Sequence, residues 1–571
     1  MKKHISIYLL FACVLFLHNS CDFLRTEPHT LVPETYFNTA AEVESFLTGV
    51  YAPLMEEHFY GGRYQMYLAN GDDLTFYQRS TPAGSIFTAD ANPSNPYVTD
   101  LWKVLYQGIN RANMFIENVD NNPSVALGLR QRTKAEAYCL RAFYYFHLVQ
   151  GWGDVPFKLE STKGVLGNDC PRTDKQVIYD TIISNLADNI RYLPEITEVA
   201  TPETLSKTAV KGLLARIWLF RAGECYRDNQ TPDEAFRQKC FEEAAKWAGE
   251  VKEEGLCNLV HPYKQVFLDY CQDQYNSTGA IESLWEVALT GNVMTAEKAA
   301  GRIGNTIGFG STDSQVGITT HVEETGLANP GYSYCFTYAS LKLYDFYERN
   351  GDTERCDWNI APFVYTYGKV DGVQSVTGKK YWYGKLAPDD VAPAGYTYTE
   401  ETELSSNNNK TRCCAKYRRE YEKVTPKNKN YTPINYPILR YSDVLLMLAE
   451  ATNELGTDPA LVLECVNAVR DRAGIELLPE GLGKDEMRAA IKDERAMELC
   501  FESLRRWDLI RWGDFVRDMR DMMGWVNRAG WGNNYKYAEN YYNVSATYNY
   551  FPIPASEMSI NKRITMNNPG W

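Results

Sequence analysis

The sequence predicts a mostly α-helical protein, a scaffold of paired helices carrying irregular loops and short β insertions. Three observations carry that prediction. Apolar residues recur at helical spacing over residues 40–56, 99–119, 131–151, 175–193, 206–227 and 233–254, with Gly, Pro, Asn or Asp at the breaks. Helical signals return after Tyr436 and run through the last third. Between these blocks, residues 280–440 are rich in Gly, Asn, Thr and Tyr and lack the period, apart from 339–350. Residues 60–98 read as a second insertion.

Within 131–151, Ala135, Ala137, Leu140, Phe143 and Tyr144 share one helix face. Within 206–227, small and large residues alternate (Ala209, Leu213, Ala215, Leu219), which lets paired helices approach closely. Helix, short turn, helix, repeated, is the pattern of a TPR-like array, although no 34-residue period is legible here. In the middle, Tyr381-Trp382-Tyr383 fits a short strand with alternating faces, and Ser405 to Asn409 reads as a loop. Further on, Leu455-Gly456 ends one helix and Asp458-Pro459 supplies the cap and first turn of the next. Lys484 to Gly513 reads as one densely charged helix. Its Glu502 and Arg506 are four apart and placed to pair along one face, a structural role that locks the helix to its neighbours.

At the N-terminus, Lys2 and Lys3 precede an apolar run from Ile5 to Leu17, followed by Ser20 and Cys21. The run falls short of the roughly 20 residues a membrane span needs, so residues 1–20 read as a secretory signal. A cysteine directly after a small residue suits lipoprotein processing, in which the Cys21 thiol carries the lipid. His18 stands where that pattern usually has leucine. The net charge of −14 argues against a nucleic-acid partner. Most of the other cysteines read as small buried apolar residues, with no pairing assigned.

No metal-ligand spacing, nucleophile elbow, phosphate loop or dinucleotide fingerprint occurs. The nearest candidate acid pair is Asp72-Asp73; adjacent acids more often sit in a turn, point apart or hold calcium. Aromatic residues make up 13% of the chain. Their faces stack on the apolar surface of sugar rings while their polar tips hydrogen-bond.

Six segments, in order, resemble the SusD/RagB family of outer-membrane nutrient-binding lipoproteins. They are Leu101 to Asn113 (LWKVLYQGINRAN), Ala135 to Pro156, Thr208 to Leu219, Tyr436 to Glu454, Asp493 to Gly513, and the closing FPIP and NNPGW. C-D-F-L-R-T-E-P from Cys21 is similar to the family's mature start. The resemblance implies a TPR-like scaffold, divided as signal 1–20, N-terminal helical region 21–270 and C-terminal region 271–571. It also implies a lipid-anchored, outer-membrane protein without catalysis or cofactor, acting with a SusC-like TonB-dependent barrel. Trp285 resembles an internal strand residue of such proteins.

In that family a shallow site on the loops takes an oligosaccharide, or in RagB-type members a peptide. Two stretches here have suitable chemistry. One is Tyr64, Tyr67, Asp72, Asp73, Tyr77, Arg79 and Tyr97, with Phe87; the other is Asn329, Tyr332, Tyr334 and Phe336, with Trp382 as an addition. The expectation is glycan capture for an importer, with oligopeptide capture as the alternative and a surface glycoside hydrolase as a third reading.

Overall fold

Helices stacked in chain order make up most of the described residues. The computed structural model describes residues 36–77, 84–164, 169–289, 301–311, 330–370, 373–382, 397–401, 413–424, 427–528 and 544–571. Helices α1 (Ala40–Tyr51), α2 (Pro96–Asn118), α3 (Leu127–Trp152), α4 (Lys175–Asn189), α5 (Lys207–Ala222) and α6 (Glu234–Glu253) pack in that sequence. The chain then leaves the array and returns as α10 (Tyr441–Leu455), which packs directly on α6. From α10 the array continues through α11 (Pro459–Arg472), α12 (Lys484–Leu499), α13 (Arg505–Trp512) and α14 (Phe515–Arg528). No described helix is long and apolar enough to cross a membrane.

The caps explain the boundaries. Thr39 and Glu42 form a reciprocal capping box on α1. Asn95 Oδ1 accepts from the Val98 amide with Pro96 in the first turn, so α2 starts slightly ahead of its apolar period. Asp458 caps α11 through the Leu461 amide, and Gly456 ends α10 in the left-handed region at φ 68°. Close packing needs small residues: a Cβ at Gly108 on α2 would lie 2.5 Å from the Tyr144 ring on α3.

The excursion between α6 and α10 carries α7 (Lys264–Gln272), α8 (Leu341–Asn350), α9 (Thr353–Asn359) and most of the strands. Strand β1 (Thr75–Tyr77) pairs antiparallel with β5 (Thr337–Ala339), joining the early insertion to the late one. The two-residue strands β2 (Val155–Pro156) and β3 (Arg172–Thr173) clip the α3–α4 connection. Strand β4 (Ser283–Val287), with Trp285 fully buried, pairs with β9 (Tyr436–Arg440). A three-stranded sheet holds β6 (Phe363–Val370), β7 (Val373–Trp382) and β8 (Thr397–Glu401). Residues 405–409 lie outside the described residues.

One expectation is corrected. Lys484 to Gly513 is two helices, α12 and α13, because Phe501 and Ser503 take left-handed φ values of 63° and 62°. The turn points Glu502 inward, where it meets Lys416 (2.6 Å) and Arg440 (2.7 Å) instead of Arg506. Arg506 donates instead to the carbonyls of Gly71 and Tyr548.

The structural role expected of this charged segment does hold. Glu498 on α12 accepts from Arg440 (2.9 Å), Arg355 (3.1 Å) and Arg472, all buried. Glu282, just before β4, bridges Arg440 (2.7 Å) and Arg472 (3.0 Å). Glu494 bridges Arg355 and Arg470. Burial opposes ionisation of Glu498, but the Arg472, Arg440 and Arg355 guanidiniums outweigh it and hold the carboxyl well below the usual range. Neutral contacts add to the Arg506 bond in fixing the tail: Trp152 Nε1 donates to the Pro552 carbonyl (2.8 Å), Asn568 bonds Trp152 and Phe551, and the Trp571 indole donates to Tyr550 (3.0 Å).

Two predictions follow from these buried charges. Glu498→Ala leaves Arg440, Arg472 and Arg355 short of a counter-charge and is expected to cost about 3–5 kcal/mol in denaturant unfolding; an unchanged midpoint would remove Glu498 as the keystone. Glu286 on β4 behaves oppositely, because burial pushes its carboxyl up to about 8. Its folded value exceeds the unfolded one, so the stability it contributes is complete below about 4.5 and is lost as pH rises through about 8. Glu286→Gln is expected to flatten a decline of up to about 1.4 kcal/mol per pH unit between pH 6 and 8, read as Tm against pH.

Candidate functional site

The β1–β5 pairing brings the two candidate stretches together. Tyr77 at the end of β1 lies opposite Thr337, and its ring is parallel to Phe336 (6.0 Å between centroids, 5° between planes). Phe336 stacks in turn on Tyr334 (5.3 Å, 18°), which meets Tyr332 edge-on at 4.7 Å. Phe87 packs edge-on against the other side of Tyr77 at 5.9 Å. The chain alternates here: Tyr332, Tyr334, Phe336 and Tyr338 are half-buried, while Gly331, Ser333, Cys335 and Thr337 between them are buried.

The backbone of this stretch is fixed by the turn at 305–311. Tyr334 N donates to Asn305 O (2.7 Å), Phe336 N to Thr306 O (3.0 Å), and Ser333 and Ser311 exchange backbone bonds. Arg419 holds the far end. Its buried guanidinium bonds the carbonyls of Tyr332 (2.5 Å), Asn428 (2.6 Å) and Lys429 (3.2 Å), with Nε on Glu422. Gly331, at φ 70°, allows this approach, since a Cβ there would lie 2.9 Å from the Arg419 side chain. The clamp sets Lys429 Nζ over the Tyr332 ring (4.9 Å) and Asn430 beside the Tyr334 hydroxyl (3.3 Å).

A second pair adjoins the run. Tyr67 and Tyr97 stack nearly face to face, 3.6 Å apart and 7° from parallel, with the Arg63 guanidinium 5.7 Å from the Tyr97 ring. Burial, and then the neighbouring hydroxyls of Tyr97 and Tyr77, hold the Tyr67 phenol well above its ordinary range. The phenol is therefore neutral at physiological pH and shares a hydrogen bond with the Tyr97 hydroxyl.

Of the expected residues, Tyr77 and Phe87 are buried, and three others are fixed in structural places. Tyr64 is buried, packs on Phe59 and Tyr60, and accepts a hydrogen bond from Trp507 Nε1 (2.9 Å). Asp73 is buried against Arg505 (2.8 Å) and Lys342 (2.6 Å). Burial opposes its ionisation, but these two cations outweigh burial and hold the carboxyl well below the usual range. Asp72 is buried and accepts from the Leu74 amide and the Thr75 hydroxyl, both at 3.0 Å. Burial and the Asp73 charge push it up to about 7. These acids brace the loop from beneath, and burial removes both from contact with a surface ligand.

Arg79, Asn329 and Cys21 lie outside the described residues; Trp382 ends β7, and its backbone alone is described. The sequence reading missed Arg63, Tyr338, Arg419, Lys429 and Asn430. The alternation Y-S-Y-C-F-T-Y over 332–338 was a usable signal for Tyr338, whereas Arg419 had none. Among the described residues, no three His, Cys, Asp or Glu side chains converge to hold a metal ion. The arrangement offers half-buried aromatic faces rimmed by hydroxyl, amide and cationic groups, which suits stacking against and hydrogen bonding to a polyhydroxylated ligand.

The chain as a whole resembles known proteins. The model of the SusD family matches residues 282–571, and a second, described as starch-binding associating with outer membrane, matches residues 22–219. A SusD-like protein of Formosa agariphila is 27% identical over 97% of this chain and 96% of its own. The crystal structure of a SusD homolog from Bacteroides thetaiotaomicron is 27% identical, covers 96% of this chain and 99% of its own, and superposes with a TM-score of 0.79. A laminarin-binding SusD-like protein shares the fold at 20% identity, with a TM-score of 0.61 over 93% of this chain and 99% of its own.

The division into structural and surface tyrosines is testable. Tyr64→Phe removes the acceptor for Trp507 Nε1 and is expected to lower stability by about 1–2 kcal/mol while leaving ligand affinity intact. A loss of affinity at unchanged Tm would move Tyr64 into the site.

Proposed function

The chain belongs to the SusD family, and from that premise we propose that it captures oligosaccharides at the cell surface and passes them to a SusC-like TonB-dependent outer-membrane barrel. In this reading Cys21 carries the lipid anchor, and the protein is a binding component without catalysis or cofactor. Tyr332, Tyr334, Phe336 and the Tyr67–Tyr97 pair supply stacking faces. Arg63, Lys429 and Asn430 supply rim hydrogen bonds.

The observation that carries this reading is the continuous aromatic run joining the two insertions. Sugar rings present apolar C–H faces to such rings, and their diols match the flanking amide and guanidinium groups. The description of one family model as starch-binding, and of one structural neighbour as laminarin-binding, points to the same ligand class.

Peptide capture by strand addition would need an open sheet edge. Strand β5 has β1 on one side and the Cys413 segment, bridged to Tyr338, on the other. That disfavours the peptide alternative at this strand. A hydrolase would need two carboxylates at the ligand, and Asp72 and Asp73 are buried.

Titration calorimetry of the mature chain against starch, laminarin and xyloglucan oligosaccharides and mixed oligopeptides tests the proposal. Phe336→Ala is expected to weaken glycan binding by about tenfold or more, from the loss of about 1.5 kcal/mol of aromatic contact, with little change in Tm. Peptide binding without glycan binding would favour the RagB-type alternative, and release of reducing sugar would overturn the non-catalytic reading.

A further inference from the structure

The loop ahead of the Tyr67–Tyr97 pair gathers two arginines on one acid. Residues 56–63 fold back on themselves, with Arg63 N donating to the Glu57 carbonyl (2.9 Å), and Arg63 Nε then reaches Glu57 Oε1 at 2.8 Å. Arg302 arrives from the later insertion. Its amide donates to the Gly61 carbonyl (2.7 Å), and its Nη1 meets the same Glu57 oxygen at 3.1 Å. Gly62, at φ 143°, permits that approach, since a Cβ there would lie 3.0 Å from Arg302 Cβ.

Charge at this point does not balance. Burial opposes ionisation of Glu57, but Arg63 and then Arg302 outweigh it and hold the carboxyl below its usual range, so one negative charge faces two guanidiniums. Arg63 Nη1 and Nη2 and Arg302 Nη2 meet no protein acceptor among the described residues, and Arg302 Nε is buried without one. The acid one turn along α2 from Tyr97, Asp100, pairs with Lys103 (3.6 Å), faces His58 (3.4 Å) and makes no ion pair with either arginine. The excess of positive charge is local, in a chain whose net charge is −14.

Guanidinium nitrogens left open in this way hold an oxyanion by charge-assisted hydrogen bonds, two at a time where the fork faces it. Both side chains remain reachable, at 31% exposure for Arg63 and 21% for Arg302. Their place matters as much as their charge. The Arg63 guanidinium lies 5.7 Å from the Tyr97 ring, which stacks on Tyr67 at 3.6 Å, so a sugar laid against this half-buried pair brings its substituents towards the arginines.

We propose that Arg63 and Arg302 form an anion subsite at the edge of the aromatic face, and that the captured glycan is acidic, carrying uronate carboxylates or sulfate esters. The subsite rests on the glycan-capture reading and adds the charge of the ligand to it. Glu57 holds both guanidiniums in place before the ligand arrives, which reduces the side-chain freedom lost on binding.

Titration calorimetry on the mature chain tests this with three matched pairs. They are oligogalacturonate and its carboxyl-reduced form, glucuronoxylan and xylan oligosaccharides, and a sulfated galactan oligosaccharide and its desulfated form. Starch and laminarin oligosaccharides and an acidic oligopeptide complete the panel. At low salt at least one acidic glycan is expected to bind about tenfold or more tighter than its neutral form, and the pair that shows it tells carboxylate from sulfate. Raising the ionic strength to about 0.5 M is expected to shrink the ratio, and Arg63→Gln and Arg302→Gln are each expected to bring it close to one. Binding of neutral glycans without an acidic advantage, an advantage indifferent to salt, or one that survives both substitutions overturns the subsite and leaves capture standing. Silence from every glycan, or binding of the acidic oligopeptide alone, overturns the subsite and the capture reading together. Should a variant fail to fold, the ratios and their salt dependence in the unmodified chain decide.

Discussion

Everything else in this molecule hangs on a buried knot of charge centred on Glu498. The helical array leaves α6 and resumes at α10 after a long excursion, and a fold built that way needs something to fix where the two parts meet. Glu498 and Glu282, with Arg440, Arg472 and Arg355, tie α12, β4, β9, α11 and α9 to one point. Apolar packing alone tolerates small slides between such elements. A guanidinium between two carboxylates does not, because each misplacement leaves a charge buried without its partner. The knot adds little net attraction over a hydrophobic replacement, but it penalises alternative registers heavily.

That fixed frame explains why loops can form an ordered face. The Tyr332–Tyr338 strand is braced from one side by the 305–311 turn and β1, and from the other by Arg419 and the Cys413 segment. Lys416 and Glu502 connect that second brace to the ionic centre. Stacking is sensitive to ring orientation, so a preorganised row of rings binds without the entropy of assembling it.

The helices were legible because each buries one stripe, and the 3.6-residue period needs only local sequence to be seen. The break at Phe501 and Ser503 was not legible: the left-handed turn exists because Glu502 is drawn inward by Lys416 and Arg440, which lie about 60–90 residues away in the chain. The site shows the same division. Tyr67, Tyr97, Tyr332 and Tyr334 were selected by composition and do converge as half-buried rings near the buried Tyr77. Composition could not separate them from Tyr64, Asp72 and Asp73, whose burial is decided by Trp507, Thr75 and Arg505 arriving from elsewhere. Arg419, which holds the end of the aromatic strand, resembles any other arginine until its carbonyl partners are seen.

The pairing of β1 with β5 ties residues about 260 apart. Neither insertion carries the face by itself, so partly folded chains lack it. The converse is a form of mutual protection. Any occupant lying across both insertions resists their separation, and at a hundredfold excess over its dissociation constant it would add about 2.7 kcal/mol to the folded state. Without an occupant that added stability is absent, and the seam keeps only its own backbone pairing and ring contacts.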